Sequence, residues 1–405
     1  MSHPGYWMFA GLTWLLAFGW FRQCLKWLRH IGELPNLCDL PVRFPMPADK
    51  GNPWQLTVVV PACNEQASIA ATLRSLLASE GIRAQIIAVN DRSTDRTGEI
   101  MERVAAEFDQ GADRTGEAHR LQIIHIGELP AGWLGKPHAM ACAADQAEAE
   151  WLLFTDGDVV FAPQALSLAL AYAEMEKADH LVLMPDWTMS SHGEAAMHGA
   201  IHAFSSWTIR LWKVSDPKAR DSLGVGAFNL VRRSTYEASG GFSSLRMEVL
   251  EDLRLGWKLK RAGYRQLLVL GPGLASVRWS EGALGVVRNL EKNLFALYRY
   301  RTLLAFAAAV GLLIQIVVPL VALGVGGWAR AGALVLYGSV AGLYFASRRV
   351  TRVRPIYVLF YPIASGIFLF ALVRSVGLAL WRGGVIWRGT YYSLKDLRTH
   401  AGRFW

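Results

Sequence analysis

Cysteine is scarce in this chain of 405 residues: Cys24, Cys38, Cys63 and Cys142 are all it has, at no metal-ligand spacing. That excludes a thiolate metal cluster, and in a reducing compartment the four are chemical bystanders. Charge is missing over four stretches, residues 5–21, 302–329, 331–347 and 355–373. No ionisable residue interrupts the first three, and only Arg374 lies in the region of the fourth, which sets a transporter aside. Internal repeats and low-complexity tracts are absent too, so repeat architectures drop out.

The charge-free stretches point to membrane. Spanning a bilayer takes roughly 20 apolar residues, so 302–329 is ample, 355–373 adequate and the other two short. The first lacks a basic leader and a small-residue cleavage pattern, and reads as a retained anchor. Arg22, Lys26 and Arg29 behind it place the 31–301 region in the cytoplasm, and Arg299, Arg301 and the Arg348/Arg349/Arg352/Arg354 cluster agree. The C-terminal charges Arg382, Arg388, Lys395, Arg398 and Arg403 fall outside if every stretch crosses. One of the four is therefore expected to lie in the interface or re-enter. The net charge of +9 gathers at these flanks, which fits anionic lipid headgroups better than nucleic acid.

What remains is an α/β domain. The expected organisation is a membrane anchor at 1–30, a proline-rich linker at 31–54, a catalytic domain at 55–301, membrane helices at 302–381 and a basic tail at 382–405. Apolar runs at 56–60, 85–89, 121–125 and 151–154 read as strands. They alternate with helical patterns at about 94–108, 138–149 and 163–177 and after the first strand, where Ile69, Leu73, Leu76 and Leu77 share a face. This alternation predicts a parallel-rich sheet. From 186 to 213, aromatic residues with Arg210 and Lys213 suggest a helix lying flat in a membrane interface, with a partly buried core helix as the plain alternative.

Carboxylates stand just past three of these strands. Glu65 closes Pro61-Ala62-Cys63-Asn64-Glu65 and is expected in the first turn of its helix. Asp91 opens Asp91-Arg92-Ser93-Thr94-Asp95, and Asp156-Gly157-Asp158 follows the fourth strand. Open α/β sheets bind ligands at that edge. Clustered carboxylates there are costly unless a cation compensates them, so Asp156 and Asp158 are expected to hold Mg²⁺ or Mn²⁺ with diphosphate oxygens. Asp91 suits a base or ribose, whereas Asp95 is expected to cap its helix. Glu251-Asp252 opens a later helix, where Asp252 could take a proton from an attacking hydroxyl. Lys136, in a loop after Trp133-Leu134-Gly135, could reach a phosphate. His198 and His202, four apart, lack the further ligands a metal needs and are read as the polar face of the interfacial helix.

In that order the motifs resemble those of inverting family 2 glycosyltransferases of the GT-A fold, over about residues 55–300. Within the family the chain is similar to membrane-anchored lipid glycosyltransferases of the hopanoid-associated and carotenoid (chlorobactene-type) kind, which also carry Gly-Trp-x-Gly-Lys, here Gly132–Lys136. The resemblance implies a GT-A, Rossmann-like domain with one N-terminal and about three C-terminal transmembrane or interfacial helices. It implies that Pro61, Glu65, Asp91, Lys136 and Asp156 bind the nucleotide sugar, that Asp156 and Asp158 hold the metal, and that Asp252 is the base with Glu251 beside it. The expected reaction moves one hexose from a nucleotide sugar, a UDP-sugar, to a hydroxylated lipid at the inner (cytoplasmic) membrane. The alternatives are a polyprenyl-phosphate sugar transferase, a polysaccharide synthase or a non-catalytic membrane scaffold. Two departures stand out: Asn90-Asp91 replaces the usual double aspartate, and Ala275 precedes Arg278-Trp279 where Gln-x-x-Arg-Trp would need glutamine. The late segment Trp387-Arg388-Gly389-Thr390-Tyr391 resembles a Trp-x-Gly-Arg-x-Tyr stretch of some relatives, but Thr390 stands where Arg is usual, and no role is assigned to it.

Overall fold

The computed structural model describes residues 4–39, 54–111 and 119–400. In chain order the strands are β1 Leu56–Ala62, β2 Ala84–Asp91, β3 His119–Ile126, β4 Trp151–Phe154, β5 Val159–Phe161 and β6 His180–Met184. They continue with β7 Asp186–Trp187, β8 Asn229–Arg232, β9 Gln266–Leu270, β10 Ala275–Val277, β11 Gly384–Trp387 and β12 Thr390–Ser393. The helices are α1 Pro4–His30, α2 Ile69–Leu77, α3 Thr97–Gly111, α4 Gly135–Ala144, α5 Ala165–Met175, α6 His192–Ser205 and α7 Arg233–Ala238. After them come α8 Glu251–Arg261, α9 Gly282–Leu297, α10 Thr302–Val325, α11 Gly327–Thr351, α12 Tyr361–Arg382 and α13 Leu394–His400.

Seven strands form the main sheet in the order β3-β2-β1-β4-β8-β6-β9. Strands β1 to β4 run parallel, and β8 enters antiparallel to both β4 and β6. Every residue of β1 is buried, as expected of a central parallel strand covered on both faces. One face packs on α2 and α5 through Ile69, Leu73, Leu76, Leu166 and Leu170, the other on α4 and α8 through Met140, Leu255 and Leu259. The chain steps from β1 outward to β2 and β3, then returns to the other side of β1 for β4. The C-terminal ends of β1 and β4 therefore flank a topological switch point, where an open sheet leaves a crevice.

Several sequence boundaries move. Helix α4 begins at Gly135, so Lys136 sits in its first turn and not in a loop. Pro137 follows it there, where a missing N–H costs nothing. Helix α2 begins at Ile69, so Glu65 lies in the loop ahead of it, after Asn64 with φ 58°. The 186–213 stretch is no single helix: it breaks into β7, α6 and a short turn at Leu211–Lys213. Ser191 and Glu194 form a capping box that starts α6. Met197, Ala200 and Ala203 on α6 are buried, so the plain alternative of a partly buried helix holds. His202 packs edge-on to Trp27, and His198 sits between Trp187 and Trp279. Burial pushes both imidazoles down to about 4. They are apolar-packed, not a polar face. The linker's Pro41, Pro45, Pro47 and Pro53 and the loop residues 112–117 lie outside the described residues.

Among the described residues, three segments are long and apolar enough to cross a membrane: Thr302–Val325, Gly327–Thr351 and Pro355–Arg382. The N-terminal α1 packs along α11, with Trp14 Nε1 donating to Trp328 O at 3.0 Å. Its start meets the α10–α11 turn, where Tyr6 Oη accepts from the Trp328 N–H at 2.7 Å. Its end meets the sheet domain through Trp27 and Trp212. Helix α12 behaves differently, touching the sheet domain at both ends. Tyr357, just ahead of it, hydrogen-bonds His192 at 2.7 Å, and Arg382 at its end pairs with Glu291 at 3.1 Å. The described part of the expected basic tail is likewise folded, as the hairpin β11–β12 followed by α13; Arg403 lies outside the described residues.

Candidate active site

Four loops converge at the switch point. The loop after β1 supplies Glu65, β2 ends on Asp91, and the turn between β4 and β5 carries Asp156 and Asp158. Helix α8 opens with Glu251 and Asp252 and approaches from the opposite side of the crevice. Lys136, from the first turn of α4, joins them: its ammonium lies 2.6 Å from Asp156 Oδ1 and 2.6 Å from Glu251 Oε1. Burial alone would lower the ammonium's pKa, but Asp156 and Glu251 outweigh it and hold it above its ordinary value. Burial also works against the Asp156 carboxylate, and Lys136 in turn holds it below the usual range. The third and fourth motifs, nearly a hundred residues apart, are thus joined through one lysine.

Asp158 has no such partner. Its Oδ1 is buried and accepts no hydrogen bond. Burial, reinforced by Asp156 and Glu65, pushes its carboxyl up to about 7. A buried carboxylate oxygen with nothing to bind, beside a second carboxylate, fits a divalent cation. Among the described residues no three His, Cys, Asp or Glu side chains are grouped to hold a metal ion. Asp156 and Asp158 would thus supply two ligands and leave the other positions to ligand oxygens.

Asp252 is held from both sides, its Oδ2 accepting the Gly226 N–H at 2.9 Å and its Oδ1 the Leu253 N–H at 2.7 Å. Burial, and then the neighbouring Glu251 charge, push it up to about 6. Gly226 has no room for a side chain: a Cβ there would stand 2.6 Å from Asp156 Oδ2 and 3.2 Å from Lys136 Nζ. Asp91 is buried, and both its oxygens accept from Arg92, at 2.8 and 3.0 Å. Asp95 caps as expected, accepting the Thr97 N–H at 2.9 Å and the Gln66 N–H at 3.2 Å. Pro61 is buried within β1, two residues beyond the last β1–β4 pair.

A cavity of about 540 Å³ opens over Glu65, Lys136, Asp156 and Asp158 and continues between α9, α12 and β11. This wall was missed from the sequence. Lys292 and Trp387 stand on it, the Lys292 ammonium 4.1 Å from the Trp387 ring centre. Arg388, at the hairpin tip, donates to Glu65 Oε1 at 2.7 Å and to Cys63 O at 2.6 Å. The late segment, assigned no role above, is therefore part of the site. Its sequence signal was present, but nothing local tells that the chain returns across three apolar helices to this crevice.

Residues 57–254 match the family model described as glycosyl transferase family 2. The chain carries a family 2 glycosyltransferase domain. Among solved structures, the chain is similar to a mannosyltransferase, PcManGT, from Pyrobaculum calidifontis in complex with GDP-Man and Mn2+. The TM-score is 0.53 at 16% identity, over 92% of this chain and 99% of that one. This likeness shows the GT-A fold. Among curated proteins it resembles 4,4'-diaponeurosporenoate glycosyltransferases of Staphylococcus aureus. Strain bovine RF122 / ET3-1 gives 20% identity over 206 residues, 51% of each chain. Strain USA300 gives 20% over 202 residues, 50% of each. The chain thus spans about half the length of the curated relatives it matches.

Proposed function

We propose that this glycosyltransferase moves one hexose from a nucleotide sugar to a hydroxylated lipid at the cytoplasmic membrane, inverting the anomeric centre. The observation that carries the reading is Lys136 joining Asp156 to Glu251, with Asp252 next to Glu251 in the chain and Asp158 beside Asp156 on a cavity that runs on to the apolar helix α12. Asp156 and Asp158 would hold a divalent cation, which would neutralise charge on the departing nucleoside diphosphate. Asp252 takes the proton of the acceptor hydroxyl as its oxygen attacks the anomeric carbon. The bond from that carbon to the diphosphate breaks on the opposite side. A carboxyl near 6 suits a base working close to neutral pH. Gly226 and Leu253 orient that carboxylate through their N–H groups, and Lys136 keeps the Glu251 and Asp156 charges compensated beside it.

The lipid acceptor rests on the helices. Since α12 meets the sheet domain at both ends, we take it to lie in the membrane interface, with α1, α10 and α11 crossing. Its outward face carries Ile363, Phe370, Val373 and Trp381, all exposed, as a helix resting in lipid requires. This returns β11–β12 to the domain's own side. In this reading residues 55–301 form the catalytic unit and the hairpin belongs to it. The GDP-Man of the Pyrobaculum enzyme and the diaponeurosporenoate of the staphylococcal ones support a nucleotide-sugar donor and a lipid acceptor.

The test is transfer from labelled UDP- and GDP-hexoses into lipid extract by the full chain in nanodiscs. Metal-dependent labelled lipid that Asp252→Asn abolishes is the expected result. Product that persists in Asp252→Asn would favour a phosphate acceptor, which needs no base.

A further inference from the structure

Hairpin β11–β12 follows the last apolar helix and lies well past residue 254, where the family match ends, yet it touches three elements of the crevice: the loop after β1, the end of β2 and the start of α4. Arg388 reaches Glu65 and Cys63 O in the first loop. Thr390 Oγ1 accepts from Arg92 Nη1 at 3.2 Å in the second. Tyr392 Oη accepts from the Gly135 N–H at 3.3 Å, next to Lys136. The hairpin is anchored: Val385, Trp387 and Tyr392 are buried with Phe295, Leu394 and Leu397. Its two-residue loop is Arg388-Gly389, with φ of 48° and 78°. Such loops favour Asn-Gly because both positions need positive φ. An arginine held there costs conformational energy, and what it gains is a guanidinium inside the crevice.

We infer that Arg388 and Lys292 form a cationic clamp that binds the diphosphate of the nucleotide sugar. Arg388 leaves Glu65 for a phosphate oxygen when the donor arrives. Charge bookkeeping supports this. Lys136 is engaged by Asp156 and Glu251, and Arg382 by Glu291. Lys292 instead rests on the Trp387 ring, and burial lowers its ammonium to about 8. It faces the same cavity as Asp156 and Asp158. A half-buried cation without a paired carboxylate is costly, and a phosphate in that cavity removes the cost. The arginine's planar fork can grip a diphosphate through two oxygens, with Lys292 as a point charge beside it. Because the hairpin follows α12, the donor site would be complete only when the helices have assembled on the sheet domain.

The clamp rests on the nucleotide-sugar reading, and the test separates the two. The full chain in nanodiscs, with Mn²⁺, is titrated calorimetrically with UDP and with uridine, and likewise with GDP and guanosine. Hydrogen bonds to charged groups contribute about 1.5–3 kcal/mol, so Arg388→Ala is expected to weaken diphosphate binding roughly 10- to 100-fold. Lys292→Ala should follow, Arg388→Lys should lose less, and nucleoside affinity should hold in all three. If nucleoside and diphosphate affinities fall together, the hairpin is only scaffolding and the clamp is wrong. Diphosphate affinity unchanged in both alanine variants also overturns it, while the donor reading stands. If the unaltered protein binds neither nucleotide, the donor reading fails and takes the clamp with it.

Discussion

Replacing Lys136 by methionine should cost stability through a route the geometry makes specific. The ammonium sits between two carboxylates at 2.6 Å each. Each contact corresponds to about 6 kcal/mol of Coulomb attraction at an effective dielectric near 20, before desolvation is charged against it. Removing one partner of a buried pair costs about 3–5 kcal/mol in practice. The Asp156 side chain is 36% exposed and the Glu251 side chain 5%, so only the Glu251 half counts in full and the lower figure applies. A loss of about 3 kcal/mol lowers the melting temperature of a domain this size by roughly 6–12 °C. Tryptophan-fluorescence melting of Lys136→Met in nanodiscs measures it. The deficit arises because Glu251 is left charged and unpaired, so the double variant with Glu251→Gln should melt above Lys136→Met alone. A Lys136→Met shift below about 1 °C, or a double variant that melts lower still, would refute the argument.

Asp252 acts as a base only when ionised and its carboxyl lies near 6. Transfer should therefore fall about tenfold per pH unit below that point and level off above it; a rate flat from pH 7 to pH 5 contradicts this. Gly226→Ala drives a Cβ against Asp156 and Lys136 and should abolish transfer while Gly32→Ala, with open space around it and no positive φ, does not. His180 is buried neutral between Asn229 and Gln266, and burial lowers it from 6.5 to about 4. The unfolded chain binds that proton first, so stability is present above about 6.5 and declines as pH falls toward 4. The decline is worth about 3 kcal/mol, and His180→Gln should flatten it in acid melts. Brominated lipids should quench a tryptophan placed at Ile363 in α12 as strongly as one at Phe370, since an in-plane helix keeps both at one depth. Unequal quenching would mean that α12 crosses.

How far the sequence reached depends on the range of each interaction. Strands β1, β2 and β4 are continuous apolar runs, and the carboxylates after them are local signals. The switch-point crevice could therefore be located in advance. Lys136 was placed in a loop ahead of the 138–149 helical pattern, whereas the helix begins at Gly135 because Pro137 is harmless in a first turn. The 186–213 stretch was read through its aromatic spacing, and the Ser191-x-x-Glu194 cap that divides it went unused. Arg388 and Lys292 were out of reach. Arg388 meets Glu65 across more than three hundred residues, and its loop lacks the Asn-Gly that announces a hairpin. The proposal that α12 lies flat rests on contacts such as Arg382–Glu291, and composition carries no trace of them.

The central claim, a donor metal site at Asp156 and Asp158 working with a base at Asp252, is tested most directly by one assay. Labelled nucleotide sugar is offered to the full chain in lipid nanodiscs with and without Mn²⁺, as wild type, Asp158→Ala and Asp252→Asn. The account predicts an inverted glycolipid that requires the metal and is lost in both variants. It predicts further that Asp252→Asn still binds the nucleotide, whereas Asp158→Ala loses its metal-dependent part. Metal-independent transfer, or transfer untouched by either substitution, would contradict it.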